Sequence, residues 1–184
     1  QNNLFTIDYD YLFIPEINTD SFHTTVSAIM DNRALQENKY SLFVTGVAKF
    51  EEIETTLART STNYDGRLVV CHTSMYKGSG ILTDTNNWFD ATYTAASLVG
   101  KMCSLPINTS PTYKSLPITS GNTLDNNSYT SLQKEQLVAN GFIVVGETSR
   151  GQYGVVMGVT RTGDSNVWNF MLDNIRKVDY IRDS

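Results

Sequence analysis

Three short apolar runs stand out in the first half of the chain. They occupy residues 9–15, 40–46 and 67–73, where the sequence reads YDYLFIP, YSLFVTG and RLVVCHT. Runs of this length that are rich in β-branched and aromatic residues predict β-strands, and the second and third predict buried ones. Pro15 and Gly46 end the first two runs, as expected at the end of a strand.

Helical periodicity occupies the segments between these strands. A helix is predicted to begin at a cap formed by Asp20 or Ser21. Its apolar positions fall on one face and are Phe22, Val26, Ile29 and Met30. A shorter helical pattern covers residues 50–59. The order strand, helix, strand, helix, strand is typical of a mostly parallel sheet with crossover helices.

The middle of the chain contains a polar loop, a further helical pattern and a long connection. Residues 75–87 are rich in glycine, threonine and asparagine and predict a loop or a short hairpin. Residues 88–104 predict a helix whose small residues suit close packing on a sheet: Ala91, Ala95, Ala96 and Gly100. Residues 105–128 predict a long ordered connection, which inside a compact domain is usually functional or part of an interface.

The last third predicts two helices and two strands. A helix capped by Thr130 or Ser131 is predicted to end at Gly141, which suits a left-handed stop. Its inward positions are Leu132 and Leu137, and its exposed positions are Lys134 and Glu135. Residues 141–148 and 152–162 predict a β-hairpin. Residues 164–182 predict a closing helix with an apolar stripe of Val167, Met171, Ile175 and Val178.

Together these elements predict one α/β domain over residues 1–184. Its expected fold is a mixed, largely parallel sheet flanked by helices, with a C-terminal β-hairpin and helix. A chain of 184 residues is long enough to bury one hydrophobic core. The sequence begins at Gln1 without a methionine and ends within a helical pattern, so we expect a fragment of a longer polypeptide.

Charge and hydropathy argue against two classes of partner. The formal net charge is −5, and the lysines and arginines are scattered without a basic run. A nucleic-acid-binding surface needs a clustered excess of these residues. No apolar stretch of the sequence approaches the roughly 20 residues that span a bilayer. We therefore expect no nucleic-acid partner and no membrane insertion.

Candidate nucleophiles and bases are few. Cys71 and Cys103 lie in apolar contexts and are predicted to be buried free thiols. His23 is predicted to be exposed or to cap the first helix, whereas His72 follows Cys71 at a strand end, where α/β enzymes hold catalytic groups. Adjacent strand residues point to opposite faces, so Cys71 and His72 are not expected to form a nucleophile–base pair.

No phosphate, metal or acid–base motif accompanies these residues. The segment KGSGI at residues 77–81 matches neither a phosphate-binding loop nor a nucleophile elbow. Metal-ligand spacings such as CxxC or HExxH do not occur. The loop carboxylates are expected to cap helices or face solvent: Asp8, Asp10, Asp84, Asp90 and Asp125. The sequence thus predicts no catalytic, cofactor-binding or metal-binding residue and no enzyme, and the alternative is a small α/β enzyme with a site near residues 71–76.

The motifs along the chain occur in a distinctive order. A capped helix that ends in Asn-Gly and runs into a strand reads YTSLQKEQLVANGFIVV at residues 129–145. A Gly-x-x-Thr type of strand, VVMGVTRT, follows at residues 155–162, and a helix with the sequence NIRKVDYI lies at residues 174–181. An alanine-containing helix before Leu105-Pro106 and the opening strand at residues 5–16 precede them. This order resembles the core domain of contractile tail sheath proteins, found in myophages and related injection systems.

The resemblance implies a structural subunit without a cofactor. Sheath subunits polymerise as hexameric rings around a tail tube and contract on a baseplate signal, which drives the tube through the host envelope. The implied partners are further copies, the tube protein and the baseplate. The implied location is the virion tail, after synthesis in the bacterial cytoplasm.

The resemblance also implies roles for particular segments. N- and C-terminal arms tie neighbouring sheath subunits by adding strands to an adjacent sheet. This chain is expected to lack both arms and to be monomeric or weakly associating. The implied structural motif residues are Arg176, Asp179, Tyr180 and Ile181. Two interpretations of the first three stay open: a buried network that closes the domain, or direct contact between subunits.

Overall fold

The computed structural model describes residues 7–59, 65–76, 87–118, 121–122, 129–148, 151–162 and 171–182. The helices are α1 (Asp20–Gln36), α2 (Ile53–Leu57), α3 (Ala91–Ser104), α4 (Ser131–Ala139) and α5 (Leu172–Arg182). The strands are β1 (Tyr11–Phe13), β2 (Leu42–Gly46), β3 (Asp65–Cys71), β4 (Ser74–Tyr76), β5 (Trp88–Phe89), β6 (Gly121–Asn122), β7 (Phe142–Ile143), β8 (Val145–Glu147), β9 (Tyr153–Val155) and β10 (Arg161–Thr162).

The main sheet is mixed and largely parallel, which confirms the predicted fold class. β1, β2 and β3 are parallel neighbours. Two short strands share the other edge of β3, with β7 parallel to it at Val70 and Cys71 and β10 antiparallel to it at Asp65 and Leu68. All five residues of β2 are buried, as expected for a parallel strand that is covered on both faces.

Helices α1 and α3 both pack on β2. The Asp90 carboxylate accepts a hydrogen bond from the Thr92 N–H (3.0 Å) and so caps α3. At its first residue α3 approaches the sheet so closely that a β-carbon on Gly46 would lie 2.1 Å from the carbonyl carbon of Ala91. Glycine at the end of β2 is therefore a packing requirement.

The other short strands that the structure describes form two small sheets. β4 pairs with β5 and with β6, so the two ends of the predicted loop at residues 75–87 are antiparallel neighbours. β8 and β9 form an antiparallel hairpin. Residues 113–116 extend it along β9, because the Tyr113 N–H donates to the Val155 carbonyl (2.7 Å) and the Leu116 N–H donates to the Tyr153 carbonyl (2.8 Å).

The predicted strands of the last third are divided differently in the structure. Residues 141–148 form two strands, since β7 joins the main sheet and β8 joins the hairpin. The predicted strand at 152–162 ends at Val155, and the chain then returns to the main sheet as β10. The hairpin itself is confirmed, although half of each predicted strand belongs to another sheet. Segment KGSGI, Asp84, Asp125, Val167 and the turn at residues 149–150 lie outside the described residues.

Several predictions about helix capping and side-chain exposure were wrong. The residue at the N-cap of α1 is Thr19, without a side-chain cap bond. Leu132 is 64% exposed, because α4 buries only Leu137 against the core. Gly100 faces open space rather than the sheet, and Cys103 is exposed while Cys71 is buried.

His23 is buried rather than exposed, because polar groups from other elements satisfy its ring. Its Nε2 lies 3.2 Å from the Thr45 hydroxyl, and its Nδ1 lies 3.4 Å from Arg59 Nη1. The ring also packs edge-on against Phe43. Burial, reinforced by the Arg59 charge, lowers the pKa of His23 to about 4, so the imidazole is neutral near pH 7.

Candidate functional site

The residues at the end of β3, where the alternative interpretation places an enzyme site, form a buried polar cluster. Cys71 has no exposed surface, and burial raises the pKa of its thiol. His72 Nδ1 lies 2.8 Å from the Tyr129 hydroxyl, which in turn donates to the Thr73 hydroxyl (3.1 Å). Burial lowers the pKa of His72 to about 4, which keeps the ring neutral.

The hydrogen bonds of this cluster join neighbouring elements of the fold. Thr73 Oγ1 also accepts a hydrogen bond from the Val145 N–H (2.8 Å), and its carbonyl accepts one from the Thr94 hydroxyl (2.7 Å). The cluster therefore ties the end of β3 to α3, to β8 and to Tyr129, two residues before α4. The grooves described below are lined by other segments. The arrangement does not support a nucleophile–base pair at Cys71 and His72.

Arg176 on α5 is the centre of a buried network. The side chain is 4% exposed, and its Nε donates to the Tyr11 hydroxyl on β1 (3.0 Å). Its Nη atoms donate to three carbonyls, those of Met102 (3.0 Å), Thr109 (3.0 Å) and Leu105 (3.4 Å). Two of these carbonyls lie at the C-terminal end of α3, which leaves unpaired acceptors and carries partial negative charge. One guanidinium thus joins α5, β1, α3 and the segment after α3.

Asp179 forms the second buried contact of α5. Its carboxylate is ion-paired with Arg67 of β3, and the two side chains are 13% and 4% exposed. The Arg67 guanidinium also lies 5.3 Å from the ring centroid of Tyr40. Since 112 positions separate the partners, no local sequence pattern indicates this pair.

The four motif residues therefore divide into two pairs. Arg176 and Asp179 are buried, as the first of the two interpretations requires. Tyr180 and Ile181 are 60% and 71% exposed, so they lie outside this buried network. Tyr180 instead lines a small surface groove of about 100 Å³ beside Tyr11.

Two surface features were not predicted from the sequence. Within the described residues, β1 pairs with β2 alone, so it is an edge strand of the main sheet. A groove of about 690 Å³, here called the lysine groove, lies over the β8–β9 hairpin between α3 and α4. Lys101, Lys114 and Lys134 line it together with Glu147. These lysines are scattered in the sequence and meet only in the fold.

Two further searches covered the described part of the chain. No group of three or more histidine, cysteine or carboxylate side chains there is placed to hold a metal ion. None of the helices described above is long and apolar enough to cross a membrane.

Comparison with known proteins gives matches in structure but not in sequence. No protein-family model matches the chain. No curated protein matches it by sequence either.

Solved structures of sheath proteins match almost the whole chain. The sheath tail protein of Desulfitobacterium hafniense aligns with 98% of it at a TM-score of 0.74 and 16% identity. The sheath tail protein of Listeria innocua aligns with 96% at a TM-score of 0.73 and 11% identity. The contracted helical sheath of the anti-feeding prophage aligns with 95% at a TM-score of 0.63 and 13% identity.

The chain is shorter than these structures and spans 39%, 37% and 45% of their respective lengths. The order of motifs in the sequence thus indicated the right group of structures. At these identities the comparison establishes architecture, and the chain has the α/β fold of tail sheath proteins.

Proposed function

We propose that this chain is a structural, non-catalytic part of a contractile tail sheath subunit. The subunit polymerises as hexameric rings around a tail tube and contracts to drive the tube through the host envelope. The observation that carries the proposal is the fold shared with sheath tail proteins over 95% or more of the chain. A baseplate structure of the anti-feeding prophage also matches, at a TM-score of 0.65, which supports the baseplate as a partner.

The internal contacts suit a part that moves as a rigid unit. A sheath that contracts without a nucleotide must derive its free energy from contacts between subunits, so each subunit has to keep its own shape. The buried Arg176 and Asp179 contacts fix α5 to β1, β3 and α3 at once. Multiple buried hydrogen bonds to one charged group favour a single arrangement of these elements.

The β1 edge suits linkage between subunits. An edge strand presents backbone groups on which an extended segment of another chain can add a strand. The hydroxyl of Tyr11 on β1 accepts a hydrogen bond from Arg176, so this edge strand is attached to the buried network. We propose that an arm of a neighbouring subunit pairs here or at another edge of the short sheets. The subunit then resides in the tail of the virion, after synthesis in the cytoplasm of a bacterial host.

Electron microscopy of the protein that contains these 184 residues, purified at high concentration, tests the proposal. Hollow tubes or stacked rings with six-fold symmetry are the expected result. A monodisperse protein that forms no tubes or rings, alone or with the tube protein of the same tail, would contradict it. Arg176→Met, a change inside the domain, is expected to reduce the yield of folded subunits without changing the symmetry of the tubes that form.

A further inference from the structure

Three of the lysines that the structure describes lie on one surface. Of the lysines that the structure describes, Lys39 and Lys177 form ion pairs with Asp8 and Asp173. Three others, Lys101 on α3, Lys114 between α3 and β9, and Lys134 on α4, have no ion pair within the described residues. All three line the lysine groove.

We propose that the lysine groove binds an acidic surface segment of a second copy of this chain. The inference rests on the proposed function, and it names a contact surface for that assembly. The whole chain carries a net charge of −5, with 19 acidic against 14 basic residues. The groove reverses that balance, since three lysines face one carboxylate, Glu147. A second copy is therefore a source of complementary charge. The exposed Glu52 and Glu54, at the N-terminal end of α2, are examples of carboxylates that it offers.

Two facing glycines form part of the floor of the groove. Gly146 and Gly154 are direct partners across the β8–β9 hairpin, and both line the groove. Cross-strand partners project side chains from the same face of a sheet, so these two glycines allow neighbouring segments to approach the hairpin closely. A β-carbon at Gly154 would lie 3.1 Å from the Lys114 carbonyl oxygen, and one at Gly146 would lie 3.5 Å from Lys134 Nζ, so both lysines pack against the floor of the groove.

The rim of the groove has an aromatic side chain in an unfavourable backbone conformation. Tyr113 is 79% exposed at a φ of 58°, a left-handed conformation that costs a bulky residue stability. Its N–H donates to the Val155 carbonyl (2.7 Å), which holds it beside the lysines. Exposed tyrosines are enriched at protein–protein interfaces, whereas a simple anion site has no use for one. Tyr113 therefore favours a polypeptide occupant.

Zero-length carbodiimide cross-linking of the assembled protein tests the inference directly. Equal amounts of ¹⁴N-labelled and ¹⁵N-labelled protein are mixed before assembly, and cross-linked peptides are identified by mass spectrometry. We expect mixed-isotope peptides that join Lys101, Lys114 or Lys134 to an aspartate or glutamate of the other copy. Assemblies that form normally but cross-link these lysines only to a different protein, or not at all, would overturn the inference and leave the proposed function standing. Failure of the protein to form tubes or rings would instead count against the proposed function.

Substitutions separate an interface role from a structural one. The double variant Lys114→Glu/Lys134→Glu is expected to weaken self-association about tenfold or more, with the loss largest at low salt. Lys49→Glu, which makes the same kind of change at an exposed lysine outside the groove, is the matched control and should have little effect. Tyr113→Asn should weaken association while leaving the melting temperature unchanged or higher, because asparagine tolerates the left-handed conformation. Equal association of the double variant and the control would refute the inference.

Discussion

Replacing Arg176 with methionine tests whether one buried guanidinium holds the C-terminal helix in place. Methionine keeps most of the length and apolar volume of the side chain but donates no hydrogen bond. The Arg176→Met variant therefore removes the bonds to Tyr11 and to the carbonyls of Met102, Leu105 and Thr109. We expect a large loss of stability with little change in packing volume.

The magnitude follows from two opposing contributions. A hydrogen bond from a charged donor contributes about 1.5–3 kcal/mol, and this side chain makes three good ones at 3.0 Å and a longer one at 3.4 Å. Removing a buried charge recovers several kcal/mol of desolvation free energy, which offsets much of that loss. The net destabilisation should be about 3 kcal/mol. With a urea dependence of about 2 kcal/mol per M, the unfolding midpoint falls by about 1.5 M.

Urea unfolding followed by tryptophan fluorescence measures this shift, since Trp88 is buried in the core. Lys177→Met, at the next position on α5, is the matched control because it removes only a partly exposed pair with Asp173 and should cost less than about 0.5 kcal/mol. Tyr11→Phe should cost about 1 kcal/mol in the wild type and almost nothing in Arg176→Met. A midpoint shift below about 0.5 M for Arg176→Met, or full additivity with Tyr11→Phe, would refute the reasoning.

Three further predictions concern burial and close packing. In the folded protein His23 and His72 have pKa values of about 4, whereas the ordinary value is about 6.5. Between these two values the unfolded chain binds more protons than the folded protein does. The free energy of unfolding therefore falls as the pH drops from about 6.5 to about 4. At pH 5 the loss of stability should be about 2 kcal/mol for each histidine. The urea midpoint of His23→Gln should therefore depend less steeply on pH than that of the wild type. An unchanged slope would contradict this reasoning. Gly46→Ala should fail to fold or melt far below the wild type, because its β-carbon would overlap the backbone of α3. Gly100→Ala has open space around it and should be stabilised by about 0.5–1 kcal/mol. Similar melting temperatures for both variants would contradict the packing argument. A thiol reagent should modify one of the two cysteines of the native protein, Cys103, and reach Cys71 only on unfolding; fast modification of both would show that β3 is accessible.

The elements that the sequence predicted well are those with a continuous pattern of their own. β2 and β3 are apolar runs because parallel strands are covered on both faces. The end of α4 was predictable because Gly141 adopts a φ of 77°, where glycine is favoured. Helix α3 was predictable from its periodicity, although Gly100 turned out to face open space.

The errors and omissions come from contacts between distant positions. His23 is polar and on a helix, so only the presence of Thr45 and Arg59 in the fold explains its burial. The run at residues 141–148 has no internal sign that its two halves belong to different sheets. The lysine groove depends on three side chains from three elements, each of which is unremarkable in the sequence. The candidate interface therefore required the fold before it could be seen.

The way in which β3 is completed has a consequence for the biogenesis of the protein. One edge of β3 is paired only by β7 and β10 among the described strands, and its Arg67 is neutralised by Asp179 on α5. A nascent chain that has emerged only as far as α4 therefore holds a valine-rich strand with a bare edge and a buried arginine without its counter-ion. Such an intermediate resembles the species that chaperones bind, because exposed strand edges template aggregation. Folding of this domain is thus expected to be completed only after β7, β10 and α5 have been synthesised, because these elements pair the edge of β3 and supply the counter-ion of Arg67.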